Sequence, residues 1–286
     1  MHPESCGQAY KNGLRALRET DWRMDPFKSN TAIALGGLIV TAVLATIGVL
    51  LLLDPIPQDP SYHAFADQRR LFGLPQFGDV VSNFAFLLVA TWGLNAVQCA
   101  RSINRVGDSV SLLPYAVFFA AVGLVAAGSA YYHYHPDNER LVWDRLPMTI
   151  AFMSLFSLII SERVHPVIGT YWAMPGLIIL GIASAFYWHF SERAGHGDLR
   201  FYGLVQFYPP LAIPVICVLF PNRTGLSAGY LIGLFLCYAL AKTFEHLDYE
   251  VYTLTRGSIS GHTLKHLSAA LGCCFVLGAL KRTQRA

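Results

Sequence analysis

The sequence predicts an all-α fold: a polytopic membrane helix bundle with a seven-helix core and one extra transmembrane helix at its N-terminal side. Three observations predict it. Hydrophobic residues make up 54% of the 286 residues and charged residues only 14%, against about 25% charged in an average soluble domain. Mean hydropathy is +0.42. The apolar residues gather into eight blocks, each near the ~20 residues that a helix needs to cross the hydrocarbon of a bilayer. Little chain remains outside them, which leaves no room for a soluble domain of ordinary size. The net charge of +3 is small and its basic residues sit at loops, so no nucleic-acid surface is expected.

Residues 1–30 are polar and mixed in charge, with Lys11, Arg15, Arg18, Arg23 and Lys28, and read as a cytoplasmic tail. Thr31 to Leu53 is an uninterrupted apolar run. A basic lead before an apolar core is also the pattern of a secretory signal. Here the polar lead is long, the run is a full span, and no small-residue cleavage site precedes Asp54. A retained transmembrane helix over 31–53 is expected. Residues 54–77, rich in proline and charge, read as a loop. Seven apolar segments follow, at 78–100, 111–133, 142–161, 169–190, 201–220, 225–244 and 259–280, making a bundle over 78–280 and a short tail over 281–286. The halves show no repeat.

Lysine and arginine in the loops set the orientation. With the N-terminus cytoplasmic, the inner side holds twelve of them: the five of the tail, Arg101, Arg105, Arg163, Arg223, Lys281, Arg282 and Arg285. The outer side holds seven: Arg69, Arg70, Arg140, Arg145, Arg193, Arg200 and Arg256. The bias places both termini in the cytoplasm. The six cysteines, Cys6, Cys99, Cys217, Cys237, Cys273 and Cys274, form no CxxC pair, and five lie in apolar segments. They read as small core or lipid-facing residues, with no disulfide framework.

Polar residues inside apolar segments carry the chemistry. His262 and His266 are four apart near the start of the last segment and share one helix face. A ring nitrogen in hydrocarbon needs a partner. Ser129 and His133, also four apart, share a face near the exit of the second bundle segment. Trp143-Asp144-Arg145-Leu146-Pro147 opens the next. Counting spans brings His133, Asp144 and the His262/His266 pair to one membrane level. Three histidines and a water make a catalytic zinc arrangement with one open position, and zinc brings the pKa of its water to about 7. Asp144 has the chemistry of a general base, and Ser129 that of a donor to the water or the oxyanion.

Each residue also has a plainer reading. Asp144 with Pro147 in the first turn is a helix N-cap pattern. A lone serine packs helices, and a lone His133 is an interfacial histidine. The pair in His262-Thr-Leu-Lys-His266 is harder to explain by packing, although it lacks the glutamate of HExxH. Lys265 beside it is expected to lean toward the aqueous interface. His2, His63, His196 and His246 read as loop or helix-end residues. His135 faces away from His133, and His189 lies in an aromatic interfacial cluster. Lys242, Glu245 and Asp248 read as an interfacial salt-bridge cluster or as an entrance for a polar head group.

The combination Ser129-x3-His133, Asp144 and His262-x3-His266 resembles the alkaline ceramidase family, which belongs with adiponectin-receptor-like proteins in a superfamily of membrane zinc hydrolases. Phe77-Gly-Asp-Val-Val-Ser82-Asn83 is similar to the family's F-x-(N/D)-x-x-S-N start, and the resemblance covers roughly residues 62–280. It implies zinc held by His133, His262 and His266, with Ser129 and Asp144 attending the water. It implies a ceramide substrate that enters from the membrane and leaves as a sphingoid base and a fatty acid. The sequence departs from the family in two places. The acidic calcium-binding segment is replaced by Phe65-Ala-Asp-Gln-Arg-Arg-Leu-Phe72, which leaves calcium doubtful, and the helix at 31–53 is extra. Both features are similar to the bacterial branch, for which ceramide is not assumed as the substrate and another N-acyl lipid is the alternative.

The expected function is therefore a membrane-embedded zinc amidohydrolase. Its partners are a membrane lipid and water, with no nucleic acid and no protein partner implied. It is expected in a bacterial inner membrane with the zinc site toward the non-cytoplasmic face. The rivals are an adiponectin-receptor-like lipid receptor with a structural zinc, and a transporter or haem-binding electron carrier. A lipid-sized cavity reaching the histidines separates enzyme from receptor. Haem ligation gives Ser129 and Asp144 no role, and no paired broken helices mark a transporter.

Overall fold

The computed structural model describes residues 29–103, 112–221 and 225–283. Among these the chain is helical, and eight helices are long and apolar enough to cross a membrane. The chain is an integral multi-pass membrane protein. In order the helices are α1 (Ser29–Leu52), α2 (Phe77–Val81), α3 (Phe84–Ile103), α4 (Leu112–Tyr134), α5 (Asn138–Arg163), α6 (Met174–Arg193), α7 (Arg200–Leu219), α8 (Ala228–His246), α9 (Asp248–Leu254) and α10 (Gly261–Thr283). The N-terminal tail and the positions of Arg105, Arg223 and Arg285 lie outside the described residues, so the charge bias rests partly on residues without a described place.

The bundle core is built by α3, α4, α5, α7, α8 and α10 around Phe86, Phe119, Leu158, Ile159, Ile213 and Val276. α1 lies against α7, and its Leu35 and Leu38 pack on the outside of that core. Thr41 Oγ1 and the Tyr208 hydroxyl are 2.9 Å apart, and Tyr208 donates to the Leu38 carbonyl at 2.8 Å. Arg200 donates to the Leu53 carbonyl at 2.8 Å.

α2 and α3 form one broken span. The break at Ser82-Asn83 leaves the Asp79 carbonyl without its helical donor, and two side chains replace it: Asn83 Nδ2 at 2.8 Å and Ser82 Oγ at 3.1 Å. The residues of the Phe77–Asn83 motif thus satisfy their own backbone, as burial in an apolar bundle demands.

α5 begins earlier than its apolar pattern suggests. Asp137 accepts from the Arg140 N–H at 2.7 Å and is the N-cap. Asp144 therefore lies two turns inside the helix, and Pro147 is interior rather than in the first turn. The N-cap reading of Asp144 is corrected by this. Arg145, tallied above with an outer loop, is likewise buried inside α5.

Two glycines bring the site helices together. A Cβ on Gly128 would stand 2.0 Å from the Trp143 carbonyl oxygen, so α4 and α5 cross in contact one residue before Ser129 and Asp144. A Cβ on Gly261 would stand 2.4 Å from the Phe244 carbonyl oxygen, which sets the start of α10 against the end of α8 beside His262.

Candidate metal centre

His133 ends α4, and His262 and His266 occupy the first two turns of α10. The three are 1%, 3% and 4% exposed. Their ring centroids lie 4.6 to 5.0 Å apart. One ring nitrogen from each falls within 4.8 Å of the others, a group that can hold a metal ion. His133 Nε2 and His262 Nε2 face each other at 3.1 Å. Two nitrogens bound at ~2.0–2.1 Å to one tetrahedral zinc stand about 3.3 Å apart, so little movement is needed to seat an ion. His133 Nδ1 is buried without a partner. Three buried imidazoles are a donor set suited to zinc and its neighbours.

The neighbouring residues orient this group. Ser82 Oγ lies 2.8 Å from His266 Nδ1. Its one proton goes to the Asp79 carbonyl, so it accepts from Nδ1–H and leaves Nε2 free to face the cluster. At the start of α10, Ser260 Oγ caps the Thr263 N–H at 2.9 Å, and both hydroxyls donate to Asp79 Oδ1 at 2.7 Å. Asp248 accepts from the His262 N–H at 2.7 Å and from the Ala66 N–H at 2.9 Å. That second bond draws in the 54–77 segment, whose Phe65 ring lies 4.5 Å from His262 and 4.6 Å from His133. This segment is a cover as well as a loop. Asp248 is an anchor for the backbone of His262, not part of an ion-pair cluster.

Ser129 and Asp144 are buried at 2% and 6% exposure. Together with His266 they line a cavity of about 810 Å³, within the ~300–1,000 Å³ range of ligand sites. Its wall is otherwise mainly apolar: Ala45, Gly48 and Val49 of α1, Phe118 and Val122 of α4, Leu155 of α5, Gly203 and Phe207 of α7. Of the five residues singled out from the sequence, His133, His262 and His266 form the cluster, and Ser129, Asp144 and His266 line the cavity.

Lys265 does not lean toward the aqueous interface. It turns inward, with Nζ 2.6 Å from Glu245 Oε1 and 3.4 Å from His262 Nε2. Glu245 also takes Lys242 at 2.6 Å, and the pairing offsets the burial of an ammonium beside the histidines. All three residues line the cavity, so they form an ion-pair cluster that faces the cavity.

The other described histidines stand apart from the cluster. His63 bridges the Tyr132 hydroxyl at 2.8 Å and Asn138 Oδ1 at 2.9 Å. His135, His196 and His246 are exposed. His189 is buried with Nε2 3.6 Å from Glu139. His2 and Cys6 lie outside the described residues. The five described cysteines are unbridged.

In the segment where the resemblance expects calcium ligands, Asp67 is spent on other partners. Its oxygens take Arg69 Nε at 2.7 Å, Arg69 Nη2 at 2.8 Å and the Gly78 N–H at 2.9 Å. Burial pushes its pKa up, but these hydrogen bonds outweigh that and hold the carboxyl below its ordinary range.

The fold and the site define a multi-pass membrane protein with a buried three-histidine centre at the polar end of an apolar cavity. No family model, curated protein or solved structure matches the chain.

Proposed function

We propose that the chain is a zinc-dependent amidohydrolase of the ceramidase type, cleaving the N-acyl amide of a ceramide-like membrane lipid into a sphingoid base and a fatty acid. One observation carries the reading: His266, Ser129 and Asp144 line the same lipid-sized cavity, whose lining is otherwise mainly apolar. The motif resemblance to alkaline ceramidases points the same way. A receptor with a purely structural zinc has no need for a carboxyl and a hydroxyl facing such a cavity.

Zinc, when held by His133, His262 and His266, supplies Lewis-acid polarisation at the reacting centre. The chain's own residues do the rest. The apolar wall seats the acyl chain and directs the amide to the polar end. Asp144 takes one proton from the attacking water as its oxygen bonds to the acyl carbon. Ser129 donates to the oxyanion that forms on the carbonyl. The C–N bond then breaks as Asp144 returns its proton to the departing nitrogen, and the remaining proton of the acid passes to that amine, so the products leave as carboxylate and ammonium. Phe65 shields the histidines from bulk water. The placing of the centre toward the non-cytoplasmic side of a bacterial inner membrane belongs to the same proposal.

The test is metal content and fatty-acid release from ceramide in detergent, for the wild type and His266→Ala. About one zinc per chain, lost in the variant together with turnover, is the expected result. Histidine-dependent zinc without release from ceramide keeps the centre and moves the substrate to another N-acyl lipid or to a receptor role. Wild-type protein that binds no zinc when supplied with it overturns the reading.

A further inference from the structure

The polar end of the cavity carries more positive charge than hydrolysis uses. Arg145, Lys242 and Lys265 line it beside Asp144 and Glu245. The two lysines share a single carboxylate, each 2.6 Å from an oxygen of Glu245. Arg145 is 5% exposed. Its Nη2 donates to the neutral Gln58 Oε1 at 2.7 Å, and its Nη1 has no partner. Trp188, Tyr202 and Tyr62 surround the guanidinium, with ring centroids 4.1, 4.8 and 5.5 Å away. These rings steady the planar fork and attract it by their faces, but none carries a full negative charge. Three cations thus face two carboxylates on the cavity lining. A buried cation short of counter-charge is costly, and a neutral side chain would pack here without that cost. A guanidinium fork matches a carboxylate or phosphate with two parallel hydrogen bonds.

We infer that this end of the cavity is an anion subsite, and that the N-acyl lipid it takes bears a carboxylate or phosphate on the amine side of its amide. The inference rests on the hydrolase reading for the lipid class and names the head group. The substrate is then an N-acylated amino acid or a phosphorylated ceramide-like lipid, in preference to a neutral ceramide. Arg145 is a specificity residue: it holds the acid while the amide lies at Asp144 and Ser129.

Binding to the full chain in neutral detergent tests this without turnover. Two matched pairs serve as probes, N-dodecanoylglycine with its methyl ester and ceramide phosphate with ceramide. The acid of at least one pair is expected to bind ten-fold or more tightly than its neutral partner in the wild type. Arg145→Gln is expected to abolish that preference and Arg145→Lys to keep part of it. Equal binding within both pairs overturns the inference, and that comparison needs no variant to fold. A preference that survives Arg145→Gln in folded protein also overturns it. Free dodecanoate is the third arm. If it competes as well as the preferred acid and loses as much in Arg145→Gln, the anion belongs to the released fatty acid and the head-group assignment falls. Fatty-acid release, measured separately, tells the two readings apart. A preference for the acid with no release sinks the hydrolase reading alone, whereas release from neutral ceramide that Arg145→Gln leaves unchanged sinks the subsite alone.

Discussion

Ser82 has one hydroxyl proton, and its destination decides which nitrogen of His266 faces the cluster. Because the proton goes to the Asp79 carbonyl, the oxygen accepts from Nδ1–H and Nε2 keeps its lone pair toward His133 and His262. Ser82→Ala removes that acceptor and frees the ring to rotate or to change tautomer. Metal affinity is expected to fall about 10–100-fold, while the thermal midpoint of the metal-free protein changes little. Competition against a zinc chelator checks the first and a melt in detergent the second. Unchanged affinity would show that Ser82 does not orient the ligand. The three histidines of the candidate centre were legible as an i, i+4 pair and a histidine four after a serine. Ser82 was visible only as part of a motif, because its partner lies 184 residues away in the chain.

At the scale of elements, α1 and the α6–α7 turn shape access to the cavity. Gly48 lines the cavity and has nothing within 4 Å of where a Cβ would stand. Gly48→Phe is expected to project a ring into the space where an acyl chain lies. If the lipid occupies that space, turnover of long-chain substrates falls several-fold more than that of short-chain ones. An equal loss across chain lengths would place the chain elsewhere. In the turn, Asp198 takes Arg200 Nε at 2.9 Å, the Arg200 N–H at 3.0 Å and the Tyr187 hydroxyl at 3.0 Å. The Arg200 guanidinium, above all, holds its carboxyl down at about 2, against about 3.9 for a free aspartate. A depressed folded pKa contributes stability that is full above the unfolded value and is lost as pH falls through the folded one. Asp198→Asn is therefore expected to lower the thermal midpoint at pH 7 and to cost progressively less between pH 4 and about 2. A penalty independent of pH would mean that the hydrogen bonds, and not the charge, stabilise the turn.

For the whole molecule, the end of α4, the first turns of α5, the end of α8 and the start of α10 share one end of the bundle, where the site lies. Arg101, Arg163, Lys281 and Arg282 fall at the opposite end. With Arg145 withdrawn into the bundle, the loop bias toward that opposite end becomes larger. A reporter fused after Ala286 is expected to be active only in the cytoplasm. Activity on the other side would invert the orientation and put the site on the cytoplasmic face.

The sequence by itself determined the helical class and the eight spans, and it singled out the three histidines that cluster. Hydrocarbon forbids unpaired backbone, so length and apolarity decide where helices run, and a helix's period decides which of its residues share a face. Tertiary structure alone decided what faces those residues. The inward turn of Lys265 depends on Glu245 at the end of another helix. The burial of Arg145 depends on three rings from separate segments, and the shielding by Phe65 depends on Asp248 drawing its loop inward. Such contacts join residues remote in sequence, and no local pattern encodes which charge meets which partner once the helices have packed.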